Sequence, residues 1–165
     1  MADEIRTKRL LLRRARMTDL PAIHAMLSDP VAMCYWSTSP HTNIGQSEDW
    51  LRSMVDADLS ISDDFCVELD GQVIGKLGCW KLPEIGFLFD PAHWGQGFAS
   101  EAMAAFLKRR RAIGSPDVIT ADVDPRNAGS LNLLRRHGFV ETGRAARTWH
   151  VGGEWCDSVY LELTL

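Results

Sequence analysis

The stretch Glu84 to Glu101, EIGFLFDPAHWGQGFASE, decides how this chain is read. Glu84 to Phe89 is rich in β-forming residues, and Asp90-Pro91 then signals a turn. Gly95-Gln96-Gly97-Phe98-Ala99 follows. Beyond it Ala99, Ala102, Met103, Phe106 and Leu107 recur at i, i+3, i+4, i+7 and i+8, one apolar face of a helix. The segment reads as strand, turn, glycine-bearing loop and helix. Small residues where a loop feeds a helix let backbone N–H groups approach a ligand, and the helix's positive end favours phosphate oxygens. On the glycine spacing alone, a tight connection that uses glycine only for turn geometry is the simpler reading. A P-loop would end in Gly-Lys-Ser/Thr, whereas this loop has Gly97-Phe98-Ala99. A dinucleotide fingerprint would be G-x-G-x-x-G near the first strand, whereas this loop has only G-x-G and lies past the middle of the chain.

Outward from this stretch the elements are mostly short. Downstream, Asp117 to Val123 has strand character, Ala128 to His137 is helical with Gly138 as its stop, and two strands, roughly 139–150 and 154–164, flank Gly152-Gly153. Upstream, Phe65, Val67 and Leu69 alternate, and Asp70-Gly71 makes a two-residue hairpin into Val73 to Lys81. A strand over residues 9–14 precedes a helix with Thr18 as N-cap, carrying Leu20, Ile23 and Leu27 and stopped by Asp29-Pro30. Met33 to Gly45 lacks periodicity and holds Tyr35, Trp36 and His41, and a second helix follows near Gln46 to Leu59. The order β αα βββ α β α ββ is not a βα alternation, and it points to an α+β mixed sheet with helices on its faces.

At 165 residues the chain is read as one domain, 1–165, long enough to bury a full core. A hydrophobic content of 45% with 24% charged residues is that of an ordinary soluble globular protein, and no apolar run reaches membrane-span length. The net charge of −4 gives no global field for nucleic acid or anionic membrane. Cys34, Cys66, Cys79 and Cys156 lack CxxC spacing, so they argue for neither a metal site nor a disulfide framework, and they suit a reducing cytoplasm.

The run HWGQGFASEAM resembles the acyl-CoA pyrophosphate loop of the GNAT N-acetyltransferases, in particular the RimJ/RimL-like branch. Trp94 holds the first motif position, where the wider family has Arg or Gln; Gly97 holds the central one and Ala99 the last. Downstream, Asn127-Ala128-Gly129-Ser130, Leu134 and Gly138-Phe139 resemble the family's Asn-x-x-Ser helix ending in Gly-Phe. The resemblance covers nearly the whole chain. It implies a largely antiparallel seven-stranded mixed sheet with splayed central strands and helices on both faces. It also implies acetyl-CoA as co-substrate, an amine acceptor, no metal, and a homodimer as the usual assembly.

The resemblance places the cofactor along the loop residues Trp94, Gly95, Gln96, Gly97, Phe98, Ala99 and Ser100. The pantetheine arm would pair with the backbone of Phe87, Leu88 and Phe89 and meet Asn127 and Ser130, and Gly86 is a candidate bulge for the splay. Two carboxylates are candidate bases. Glu84 begins the central strand in the branch's EI-like context, and Asp122 lies five residues before Asn127. Without a role, Glu84 reads as a solvated strand-end charge, whereas Asp122 between Ala121 and Val123 needs a partner or a function. The tyrosine that often serves as acid is replaced by Leu134, which leaves the Ser130 hydroxyl as donor or as a helix-cap group. Tyr35 and Trp36 are candidate walls of the acceptor site, with Glu84. The implied activity is acetyl transfer by direct attack in a ternary complex, on a protein N-terminus or a small amine. The rival from another class is a non-catalytic acyl-CoA sensor or interaction module.

Overall fold

A computed structural model describes residues 3–165. Among the described residues eight strands form one sheet: β1 (Glu4–Arg6), β2 (Leu10–Arg13), β3 (Asp63–Leu69), β4 (Gln72–Lys81), β5 (Glu84–Phe89), β6 (Val118–Val123), β7 (Val140–Val151) and β8 (Glu154–Thr164). Their spatial order is β1-β2-β3-β4-β5-β6-β8-β7, and every pairing is antiparallel except β5 with β6. The described residues also hold four α-helices: α1 (Leu20–Leu27), α2 (Ile44–Val55), α3 (Phe98–Ile113) and α4 (Ala128–Arg136). The sequence pattern had indicated seven strands. The eighth is β1, a three-residue edge strand without apolar alternation, which exists because β2 offers it Arg13, Leu12 and Leu11 as partners.

The period-two alternation of the strands sorts the core into two layers. Phe65, Val67, Leu77, Ile85 and Ile119 pack on one face against Phe98, Met103, Phe106 and Leu107 of α3 and Leu131 and Leu134 of α4. Cys66 and Leu88 point the other way, into Ile23, Met26 and Leu27 of α1 and Leu51 of α2. Burial in these layers pushes the thiols of Cys66 and Cys79 up to about 12, so both stay protonated at neutral pH.

Three local expectations are corrected. Thr18 does not cap α1; it lies within a 3₁₀ turn, Met17–Asp19, and the helix begins at Leu20 with Asp19 at the cap position. The Asp19 carboxylate is drawn instead to Arg13, which donates Nη1 and Nη2 at 2.9 and 2.8 Å, and to the Arg16 N–H. The second helix ends at Val55 and starts two residues early, the start being set by a reciprocal cap of Asn43 and Gln46: Asn43 Oδ1 accepts from Gln46 N, and Gln46 Oε1 accepts from Asn43 N. Gly86 is not a bulge. It sits in register opposite Gly78, and the β4–β5 register shifts instead between Cys79 and Lys81.

The splay itself is present. β5 and β6 share a single register pair, Glu84↔Thr120, reinforced by Thr120 N donating to Pro83 O. From Ile85 to Phe89, β5 is paired on its β4 side only.

Candidate active site

The loop after β5 is built from its own side chains. Asp90 Oδ1 accepts from Ala92 N at 2.9 Å and opens a 3₁₀ turn, Pro91–His93. Trp94 folds back, and its Nε1 donates to Phe89 O at 2.9 Å, so the carbonyl at the end of β5 already has a partner. Gly97 then takes φ +81°, in the left-handed region, and serves as the N-cap of the sixteen-residue α3. A glycine cap leaves the first-turn N–H groups without a side-chain acceptor, and the helix adds its positive end. That concavity fits a phosphate group.

Phe98 is buried in the core, so it offers the loop its backbone alone. The Ser100 hydroxyl is bonded to His137 Nε2 at 2.9 Å and ties α3 to the end of α4. Asn127 Oδ1 caps α4 through Ser130 N at 3.1 Å, while the Ser130 hydroxyl makes no hydrogen bond among the described residues. Leu134 is fully buried in the core.

Sequence reading missed the support of this loop. Arg9 Nη1 donates to Gln96 O at 3.0 Å, its Nε meets Glu101 at 2.7 Å, and its guanidinium lies 4.4 Å over the Phe98 ring. Burial acts to raise the Glu101 carboxyl, but donors from Thr7 and Arg9 outweigh it and hold the group below its ordinary value. The loop's carbonyl side is therefore braced by the β1–β2 turn and α3 together. Arg9 and Glu101 are ninety-two residues apart in sequence, and no local pattern links them.

A cleft of about 1330 Å³ opens between α2, the irregular segment 34–42, β5 and the β6–β8 side. It brings together Tyr35, Trp36, Glu84, Gly86 and Asp122, whereas the glycine loop, Asn127 and Ser130 lie outside its lining. Both candidate bases are oriented by indoles: Trp80 Nε1 donates to Glu84 Oε1 at 3.3 Å, and Trp149 Nε1 donates to Asp122 Oδ2 at 3.1 Å. Six carboxylates line the cleft against two cations. Lys76 is taken by Asp64 at 2.7 Å, and Arg126 by Asp124 at 2.7 Å and Glu154 at 3.1 Å. Among the described residues Glu84 and Asp122 have no cationic partner, so the cleft is negative where they stand. Tyr35 faces the Arg126 guanidinium at 5.6 Å. His41 also lines the cleft, with Nδ1 bonded to the buried Ser47 hydroxyl at 2.8 Å; burial first, then neighbouring His24, lower its pKa from the ordinary value.

Residues 9–140 match the family model described as the acetyltransferase (GNAT) domain, and the chain belongs to that family. An uncharacterized N-acetyltransferase, p20 of Bacillus licheniformis, is 29% identical over 86% of this chain and 84% of its own. An L-methionine sulfoximine/L-methionine sulfone acetyltransferase of Pseudomonas paraeruginosa is 27% identical over 93% of this chain and 94% of its own. Among solved structures, the RimL ribosomal L7/L12 α-N-protein acetyltransferase in complex with coenzyme A superposes with a TM-score of 0.86. It is 18% identical and covers 98% of both chains, a likeness of fold.

Proposed function

We propose that the chain is an acetyl-CoA-dependent N-acetyltransferase that acetylates a small primary amine by direct attack in a ternary complex. The observation that carries this reading is the pair of indole-oriented carboxylates, Glu84 and Asp122, in a cleft at the closed end of the β5–β6 splay, beside the Glu84↔Thr120 bridge. The relative that acts on methionine sulfoximine supports a small acceptor over a protein N-terminus.

Acetyl-CoA, when bound, supplies an activated acetyl thioester. The backbone from Trp94 to Ser100 holds the pyrophosphate at the start of α3, with Gly95 and Gly97 giving the close approach. Backbone groups of Phe87, Leu88 and Phe89 and the Asn127 side chain align the pantetheine arm, and an N–H near Phe89 faces the thioester oxygen. Tyr35 and Trp36 wall the acceptor. Glu84 takes a proton from the acceptor ammonium, and its charge attracts that cation in the first place. An alkylamine is neutral in about one part in 2,500 at pH 7, so the free base costs about 4–5 kcal/mol and a positioned base is needed. The Ser130 hydroxyl, without a hydrogen bond among the described residues, donates toward the departing thiolate.

The test is release of coenzyme A thiol in the presence of a panel of primary amines. Turnover with at least one small amine is expected. Tight acetyl-CoA binding without thiol release from any amine or N-terminal peptide would show a binding module instead.

The loop assignment has its own test. A Cβ at Gly97 would meet only Arg9 Nη2, at 3.4 Å, so space is available but the φ of +81° is unfavourable for a side chain. Gly97→Asp adds that strain and sets a carboxylate beside the pyrophosphate. Its acetyl-CoA affinity, measured by calorimetry, is expected to fall by more than about tenfold, or about 1.4 kcal/mol. Unchanged affinity would remove the cofactor from this loop.

A further inference from the structure

Gly86 is a glycine that the fold does not require. In the same part of the sheet Gly75 and Gly78 are forced by packing: a Cβ at Gly75 would stand 2.5 Å from Phe89 Cδ1, and one at Gly78 would stand 2.4 Å from Asp63 O. A Cβ at Gly86 would meet only Lys76 Nζ at 3.9 Å and Trp80 Cδ1 at 4.0 Å, ordinary van der Waals distances. Its φ lies outside the left-handed region, and it pairs in register with Gly78 without a bulge. Glycine in a strand interior forfeits packing and chain rigidity, and without a bulge to explain it the remaining cause is close approach of a ligand.

The position supports that cause. Side chains of Glu84, Gly86 and Leu88 share one face of β5 by alternation, and Leu88 packs on the α1–α2 side. Gly86 therefore leaves a notch on the same face as Glu84, about 7 Å further along the strand. The notch lies in the cleft, and its floor is fixed by Lys76, buried at 2% exposure, whose Nζ donates to Gly86 O at 3.3 Å and pairs with Asp64.

We propose that Gly86 is the specificity-determining residue of the acceptor site: its missing side chain makes room for a substituent on the carbon that bears the reacting amine, so the enzyme takes primary amines branched at that carbon. The inference rests on Glu84 marking where the amine sits. An amine held at Glu84 directs its α-carbon along β5, and the branch at that carbon fills the notch. An unbranched CH₂–NH₂ group leaves the notch empty and gains nothing from it.

The experiment compares wild type with Gly86→Ala on glycinamide, alaninamide and leucinamide, with melting temperature and acetyl-CoA affinity measured alongside. Wild type is expected to prefer the two branched amides. Gly86→Ala is expected to lose at least tenfold in kcat/KM on leucinamide and alaninamide and less than threefold on glycinamide. Its melting temperature should be equal or higher, since alanine restricts the unfolded chain, and its acetyl-CoA affinity should be unchanged. A wild type that releases no thiol with any primary amine overturns the functional reading, and this inference with it. An active wild type that prefers glycinamide, a variant whose rates fall equally on all three amides or not at all, or a lowered melting temperature overturns the inference alone.

Discussion

Lys76→Met is expected to destabilise the fold by about 3–5 kcal/mol, the range found when one partner of a buried ion pair is removed. Lys76 and Asp64 are both almost fully buried, and their 2.7 Å contact offsets the desolvation of each. Methionine fills most of the lysine's volume, one atom shorter, and removes the charge, so Asp64 is left as a buried carboxylate and Gly86 O loses a donor. Burial already pushes the Asp64 carboxyl above its ordinary value, with Lys76 pulling against it. Without Lys76 the upward shift grows. A carboxyl with a raised folded pKa costs nothing below its unfolded value, near about 3.9, and the penalty builds as pH rises toward the folded pKa. The deficit in urea unfolding should therefore be largest at pH 7 and shrink toward pH 4. Lys76→Met combined with Asp64→Asn should recover much of the loss, because no buried charge remains. A single variant as stable as wild type at pH 7 would show that water reaches the pair.

Glu84→Gln is expected to lower kcat/KM on an alkylamine by roughly 10²–10⁴-fold, the usual contribution of a general base. The amide keeps the shape and can still accept from Trp80 Nε1, so the loss isolates the proton acceptor. Asp122→Asn should lose much less. Asp122 is held by Trp149 and sits on β6, opposite Tyr160 of β8, whereas Glu84 stands at the one bridge between the splayed strands. The Glu84→Gln deficit should shrink as pH rises, since the acceptor then deprotonates without help. An acceptor with a low-pKa amine would blunt it at every pH. Near-full rates for both amides at pH 7 would shift attention to His41, which burial and His24 keep below the ordinary imidazole value and so neutral.

How much of this was legible in the sequence depended on distance along the chain. The segment Glu84–Glu101 declared itself because its strand, turn and helix are each specified by neighbours a few residues apart. The Asp70-Gly71 hairpin did the same, with Asp70 at φ 49° and Gly71 at φ 82°. Asn43 and Gln46 also form a local cap, and the signal Asn-x-x-Gln was there to be read. Thr18 misled because the competing acceptor, Asp19, is recruited by Arg13 on a separate strand. The cleft residues Glu84 and Asp122 were identifiable, but Trp149, the indole partner of Asp122, was not, because β7 reaches β6 only across β8; Trp80 lies just four residues from Glu84, on the neighbouring β4. The same limit hid Arg9 behind the glycine loop and Lys76 beneath Gly86. Gly86 itself drew notice for the wrong cause: a strand glycine reads as a bulge in sequence, and only the register opposite Gly78 shows that it is not one.

The lone bridge Glu84↔Thr120 makes this sheet, mechanically, two plates joined at a corner: β1 to β5 on one side and β6 to β8 on the other. Along the seam each plate presents a strand edge, and a row of unsatisfied amides is a weak place in any sheet. A linear ligand that hydrogen-bonds along the seam acts as a stitch between the plates. Its binding energy is then also cohesion, worth about 2.7 kcal/mol when free ligand stands at a hundred times its dissociation constant.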